Sequence, residues 1–142
     1  MRKNIGDKKS SKKKRANRNG ELETLCKEIR AADPSILSLT IAEANGDILA
    51  HSFGAGYERE FLEKTSKVRG RAGVWAALML GMEYEVEQAF GETECIVRIH
   101  KKAKLMVVPF ASKKMILTML TTRDAIGIDI LPKILPLLQS FS

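Results

Sequence analysis

The sequence predicts an α+β domain in which helices cover an antiparallel sheet of five strands, in the order α-ββ-α-βββ-α. Three observations carry this. Residues 37–53 alternate apolar and polar side chains on either side of Asn45-Gly46, the period of a half-buried hairpin. Residues 93–121 hold three more β-rich runs, separated only by Lys101-Lys102 and by Ser112-Lys113-Lys114. Strands joined so tightly are antiparallel neighbours, because a parallel crossover needs about a dozen residues or more. Between the two β regions, and beyond them at both ends, the apolar period becomes that of a helix, so helices pack on an antiparallel sheet.

Residues 1–20 stand apart. They hold nine Lys or Arg and one acidic residue, so the remaining 122 residues are nearly neutral although the whole chain carries +7. Ile5 is the segment's one large aliphatic besides Met1, which is too little apolar area to offset chain entropy, so a disordered basic tail is expected over 1–20 and a folded domain over 21–142. Such a run is either a solvated solubility tail or a phosphate binder, in which case Lys8, Lys9, Lys12, Lys13, Lys14 and Arg15 are the candidate contacts, on nucleic acid, ribosome or anionic membrane. No aromatic residue is interleaved with them, so such binding would be electrostatic and poor in sequence discrimination.

In the folded part, Leu22, Leu25, Cys26 and Ile29 mark a helix over 21–32, which Asp33-Pro34 ends because proline disfavours the helical conformation of the residue before it. Leu37, Leu39 and Ile41 form the first hairpin strand, and Asn45-Gly46 suits a type I′ turn into Asp47–Phe53. Gly54-Ala55-Gly56 breaks the strand, and one long helix is expected from about Tyr57 to Ala89. Strands follow at 93–100, 104–110 and 115–121. The last segment, 128–141, sets Leu131, Ile134, Leu135 and Leu138 on one helical face, with Pro132 suited to a first turn and Pro136 expected to kink or shorten it.

The central helix is apolar on two sides. Phe61, Thr65, Val68, Ala72, Trp75, Met79, Met82 and Val86 form one stripe, expected to pack on the domain's own sheet. Leu62, Ser66, Gly70, Gly73, Ala77, Leu80 and Tyr84 form a second, roughly opposite. A helix apolar on opposite sides is buried on both. Either a terminal helix of the same chain covers the second stripe or a second copy does through two-fold symmetry, and self-association is preferred because Gly70, Gly73 and Ala77 leave room for another helix.

Chemistry is sparse. His51 and His100 are isolated, Gly54-Ala55-Gly56 lacks the rest of a phosphate-loop motif, and Glu83 and Glu87 share a helix flank without a histidine. Ser66, Thr121 and Thr122 have no base beside them in sequence. Cys26 and Cys95 are far apart, with no CxxC spacing, which fits free thiols in a reducing cytoplasm rather than a metal site. No apolar run approaches the roughly 18 residues that would span a bilayer, and no apolar segment follows the basic N-terminus as in a signal peptide. The expectation is a cytoplasmic chain without catalytic activity, cofactor or metal.

The run Ser38-Leu39-Thr40-Ile41 through Asn45-Gly46-Asp47 to Ile48-Leu49-Ala50-His51-Ser52, the small-residue helix, and the pair Lys104–Pro109 and Met115–Leu120 together resemble the roadblock/LC7 family over about residues 21–142. The resemblance implies a profilin-like five-stranded sheet with a helix pair on one face and the long helix on the other. It also implies a homodimer formed through the long helices and the edge strand 93–100, which adds Cys95 and Val97 to Leu62, Ser66, Gly70, Gly73, Ala77, Leu80 and Tyr84. Family members act as adaptors or regulators of Ras-like small GTPases and as light-chain-type scaffolds. Two other readings compete: a nucleic-acid- or ribosome-associated protein acting through its tail, and a profilin-like or GAF/PAS-like small-molecule sensor with a ligand between sheet and long helix. Bulky filling of that space by Trp75, Met79 and Met82 argues against the sensor.

Overall fold

The computed structural model describes residues 3–53, 58–125 and 127–141, with side chains undescribed at 3–17, 58–63, 65–66, 68–70 and 128. Its elements are α1 (Lys3–Ala32), β1 (Ile36–Glu43), β2 (Ile48–Phe53), α2 (Glu58–Gly81), α3 (Tyr84–Phe90), β3 (Ile96–Ile99), β4 (Ala103–Phe110), β5 (Met115–Thr122) and α4 (Gly127–Gln139). The five strands form one sheet in the order β2-β1-β5-β4-β3, antiparallel throughout. The α+β class and the five-stranded antiparallel sheet are therefore those read from the sequence.

Alternation along the strands sorts side chains onto two faces. On one, α1 and α4 lie as a pair, and Leu22, Cys26 and Ile29 of α1 meet Leu39 and Ile41 of β1, Met106 and Val108 of β4, Leu117 and Met119 of β5, and Ile130, Ile134 and Leu138 of α4, all buried in one cluster. α4 runs through both Pro132 and Pro136, neither of which ends it. Both prolines are exposed, so the buried Ile130–Ile134–Leu138 face holds the helix despite the missing backbone donors.

The other face carries α2, and its cluster is small: Ala76, Val107 and Ile116, flanked by half-buried Ala77, Met79, Leu80 and Ile96. The helix approaches the β1–β2 turn so closely that Cβ atoms are not tolerated. A Cβ on Gly73 would collide with the Gly46 carbonyl oxygen, and one on Gly46 would sit 3.0 Å from the Val74 backbone.

Three local features differ from expectation. The first helix begins at Lys3, not near Glu21, so its backbone continues through the basic segment assigned to a disordered tail. Lys and Arg are good helix formers, and extending an existing helix needs no new nucleus. Secondly, the β1–β2 hairpin is not of type I′. Gly46 N–H donates to Glu43 O at 2.9 Å and Glu43 N–H to Asp47 O at 2.8 Å, and only Gly46, at φ +96°, has a positive φ. This is a type I turn followed by a left-handed glycine, closed by Asp47 N–H donating to Asn45 Oδ1 at 3.0 Å. Thirdly, the long helix is two: Gly81 weakens it, Glu83 N–H bonds back to Leu80 O at 3.1 Å, and α3 restarts at Tyr84. β3 is also shorter than the expected 93–100.

Candidate functional site

None of the sequence-level chemical candidates assembles into a reactive centre among the described residues. His51 is exposed on β2 against Phe53, ring centroids 5.0 Å apart. His100 is exposed, and its carbonyl accepts a bond from Arg123 Nη1 at 2.8 Å. Glu87 is held by Lys113 Nζ at 2.7 Å and by Thr93 N–H at 2.8 Å, which keep its carboxyl below the usual range. Thr121 Oγ1 is turned to the Thr122 carbonyl at 3.2 Å. Gly54-Ala55-Gly56 and the side chain of Ser66 lie outside the described residues. Cys26 and Cys95 are free, and burial pushes their thiols up to about 12 and about 11, so neither is a poised nucleophile. Among the described residues no group of three or more His, Cys, Asp or Glu is placed to hold a metal, and no helix is long and apolar enough to cross a membrane.

What the fold exposes instead is apolar surface on α2 and α3. The expected orientation of α2 is reversed. Gly73, Ala77 and Leu80, assigned to a partner-facing stripe, lie on the chain's own sheet, with Gly73 against Gly46 and Ala42, and Ala77 and Leu80 beside Val107 and Ile116. The reason is the close helix–turn approach, which only small residues allow. The stripe assigned to the core points outward: Trp75 is 40% exposed and Met82 75%. Val74 and Leu78 join it, and Tyr84, Val86 and Phe90 extend it along α3, which buries none of its residues. Of that stripe, Met79 is drawn toward the sheet and Ala72 is half-buried. Of the other residues expected at an interface, Tyr84 and Val97 are exposed and Cys95 is half-buried. The side chains of Leu62 and Ser66 and the surroundings of Gly70 are outside the described set, as are the side chains of Lys8, Lys9, Lys12, Lys13, Lys14 and Arg15 proposed for phosphate contact.

Beside this surface the sheet ends at β3, which pairs only with β4. Ile96 of this strand packs toward α2, whereas Val97 and Ile99, 45% and 65% exposed, lie on the α1/α4 side of the edge. An exposed edge strand with apolar side chains, next to an apolar helix face, is the pattern of an interaction surface and not of a reaction centre. Periodicity revealed that α2 has two apolar sides. It could not say which side meets the sheet, since both stripes are apolar and the deciding contact, Gly46 with Gly73, lies between residues far apart in sequence.

Under the other flank of α2 a groove of about 990 Å³ opens between helix and sheet, lined by Ser38, Thr40, Trp75, Leu78, Met79, Leu105, Thr118 and Leu120, with Lys64, Arg98, His100 and Lys102 among its lining residues. Trp75 and Met79 line this groove without filling it, and Met82, 75% exposed, is not among its lining residues, so the bulky filling expected there is incomplete.

No family model and no curated protein sequence matches the chain. Solved structures do match by fold. A roadblock/LC7 domain from Streptomyces avermitilis superposes with TM-score 0.62 at 14% identity, over 83% of this chain and 92% of that one. An MglB described as having a tetrameric arrangement gives 0.63 at 12% identity, over 82% of each chain. LokiProfilin1, solved in complex with rabbit actin, gives 0.50 at 10% identity, over 85% of this chain and 93% of that one. At such identities the likeness is one of fold: the domain is roadblock/LC7-like and, more distantly, profilin-like.

Proposed function

We propose that this roadblock/LC7-like chain is a non-enzymatic cytoplasmic adaptor or regulator that works as a homodimer and engages a Ras-like small GTPase or a related scaffold complex. The observation that carries the reading is the apolar face of α2 and α3, from Val74 to Phe90, left exposed beside the open edge strand β3. Two copies related by a two-fold axis would cover both at once, strand β3 beside strand β3 and helix α2 beside helix α2. The fold supports this reading, and so does the tetrameric arrangement of the MglB it resembles. The small-GTPase partner follows from the roadblock resemblance.

The test is sedimentation of the full chain and of a Leu78→Glu/Met82→Glu variant. A parent dimer that the variant reduces to monomer supports the reading; a parent that stays monomeric at high micromolar concentration overturns it. The partner is tested by binding of Ras-like GTPases from the same source, loaded with GDP or a GTP analogue, to the dimer. Binding to none of them removes the GTPase from the proposal.

A second reading concerns the basic N-terminal stretch, which α1 continues as helix from Lys3. Its nine basic residues would bind a polyanion without sequence preference. Salt-dependent binding of RNA or anionic vesicles that vanishes on removing residues 1–20 would support it, and tail-independent binding would sink it.

A further inference from the structure

Packing between α1, α4 and the β4–β5 hairpin opens into a cleft of about 970 Å³ at the end of the sheet where β4 finishes and β5 begins. Phe110 and Leu138, 7 and 3% exposed, close its floor, and the rings of Phe110 and Phe141 meet edge to face at 6.4 Å. Ala111, Leu135 and Phe141 are half-buried and form the apolar wall that an occupant can reach. Leu135 lines the cleft without joining the hydrophobic cluster of that face. Two exposed cations belong to the lining, Arg18 of α1 and Lys114 of the hairpin. Neither makes an ion pair among the described residues. The Arg18 guanidinium rests instead 3.9 Å from Met115 Sδ. Glu21 is the one carboxylate that lines the cleft among the described residues.

From this cleft α1 runs back from Arg18 to Lys3, about 22 Å at the helical rise. Residues 3–17 carry seven Lys or Arg against one acidic residue, Asp7. Four of the cations, Lys12-Lys13-Lys14-Arg15, are consecutive and so cover a full turn of helix. We infer that cleft and basic helix together dock an acidic segment of a partner protein, with an apolar anchor in the cleft and carboxylates along the helix. Each feature excludes another occupant. A sequence with cations around a whole turn, and with Ile5 its one large aliphatic besides Met1, has no apolar stripe to lay in a membrane. Residues 1–20 hold no aromatic for base stacking, and nucleic acid has no aliphatic chain to bring to Leu135 and Phe141. A small anion would use Arg18 and Lys114 and leave most of the other cations without a counter-charge. An acidic chain with a leucine or phenylalanine meets both parts: burial of the anchor supplies affinity, and the charges steer the encounter.

The inference rests on the polyanion reading of the basic stretch for its electrostatic half, and the cleft stands apart from that reading. It is independent of self-association, because no described residue of α2, α3 or β3 lines the cleft.

The experiment titrates the full chain with a fluorescein-labelled synthetic peptide, Leu-Phe joined through Gly-Gly to a run of Asp and Glu, made in both chain directions. Anisotropy and calorimetric stoichiometry are read. Comparison ligands are the same peptide with Gly-Ser for Leu-Phe, one with Asn and Gln for the acids, poly(U) RNA and phosphatidylserine vesicles. Saturable binding of one peptide per chain is expected in the better direction, with the anchorless peptide at least about tenfold weaker and the neutral one likewise. Leu135→Gln should erase the anchor preference and leave the anchorless peptide unchanged. An Arg18→Gln/Lys114→Gln variant should weaken the acidic peptides about fivefold, and Glu21→Gln should tighten them about twofold. Arg18, Glu21 and Lys114 are exposed, so these changes keep the fold, and urea midpoints are followed for all variants. Equal binding with and without the anchor, equal binding of acidic and neutral peptides, or a preference that survives Leu135→Gln would overturn the site. If poly(U) and vesicles bind while the anchor makes no difference, the polyanion reading stands without the cleft. If no anion binds, both fall.

Discussion

On one face of the sheet, α1 and α4 bring Leu22, Cys26, Ile29, Ile130, Ile134 and Leu138 down onto Leu39, Ile41, Leu117 and Met119, all 5% exposed or less. On the other, α2 brings Ala76 onto Val107 and Ile116 and leaves Trp75, Leu78 and Met82 in solvent. The same strands build both faces, so the difference belongs to the helices. Two helices with large aliphatic residues close one side, whereas a single helix touching the sheet through Gly73, Ala76 and Ala77 leaves the other partly open. Stability is concentrated where packing is complete, and the capacity to bind is concentrated where it is not. Substitutions should separate the two accordingly.

The largest effect belongs to the closed face. Ile134 is fully buried in α4, and Ile134→Ala should cost about 4 kcal/mol through lost burial and the cavity left behind. Urea titration would show it as a fall in midpoint with little change in slope. A cost below about 1 kcal/mol would mean that the face can collapse around the gap. On the open face the matching site is Gly73, where closeness to the Gly46 carbonyl, not apolar bulk, is the constraint. Gly73→Ala should cost about 2–3 kcal/mol, because backbone and not a flexible side chain must give way. A neutral outcome would show α2 free to lift from the turn.

The closed face was nearly legible in the sequence, because Leu22-Leu25-Cys26-Ile29 and the strand alternations name the residues that are found buried. Legibility failed on the open face, for a definite reason. Two apolar stripes on one helix carry equal signals, and bulk was read as core while small size was read as room for a partner. Gly73 and Ala77 are small for the other reason, a close approach within the chain. The helix break at Met82-Glu83 was equally hidden, since the apolar period continues across it. The burial of Thr40 carried no signal either: in sequence it is the polar residue in a strand's alternation, and its pairing with Thr118 on the face under α2 leaves it 7% exposed.

A smaller effect tests what ties the closed face together. Asp33 follows the end of α1 and accepts bonds from Lys133 Nζ of α4 at 2.7 Å and from Ser35 Oγ at 2.6 Å and Ser35 N–H at 2.9 Å. The Lys133 bond and then the Ser35 bonds hold its carboxyl at about 2, below the roughly 3.9 of an unfolded chain. The folded value is depressed, so the contribution is complete above about pH 4 and is lost as pH falls toward about 2. Asp33→Asn should cost about 1–2 kcal/mol at neutral pH and flatten the acid limb of the stability profile over that window. An acid limb identical to the parent's would show that other carboxylates govern it.

A gain is expected at the β4–β5 hairpin, whose tip joins the two faces. Ala111, Ser112 and Lys113 have φ of 53°, 55° and 66°, a left-handed run that costs non-glycine residues about 1 kcal/mol each. Lys113 is tied to Glu87 and Ala111 is half-buried, so Ser112, exposed, is the position free to change. Ser112→Gly should raise stability by about 1 kcal/mol, less the added freedom of the unfolded chain. A fall in the urea midpoint would mean that the serine contributes something the left-handed backbone does not reveal.

The smallest effect on stability is also the sharpest test of the comparison. Leu78 is 62% exposed at the centre of the open helix face, so Leu78→Glu removes little burial from a single chain. It should leave the unfolding free energy from urea titration of the monomer within about 0.5 kcal/mol of the parent's. Ala77→Glu is not an equivalent probe, because Ala77 packs beside Val107 and Ile116 and its loss of assembly would be confounded with loss of fold. If Leu78→Glu weakens association while leaving monomer stability alone, the open face is a surface held in reserve for something outside the chain. If it unfolds the monomer instead, α2 uses that side for its own packing, and the distinction between a face for stability and a face for binding fails at the helix on which it was drawn.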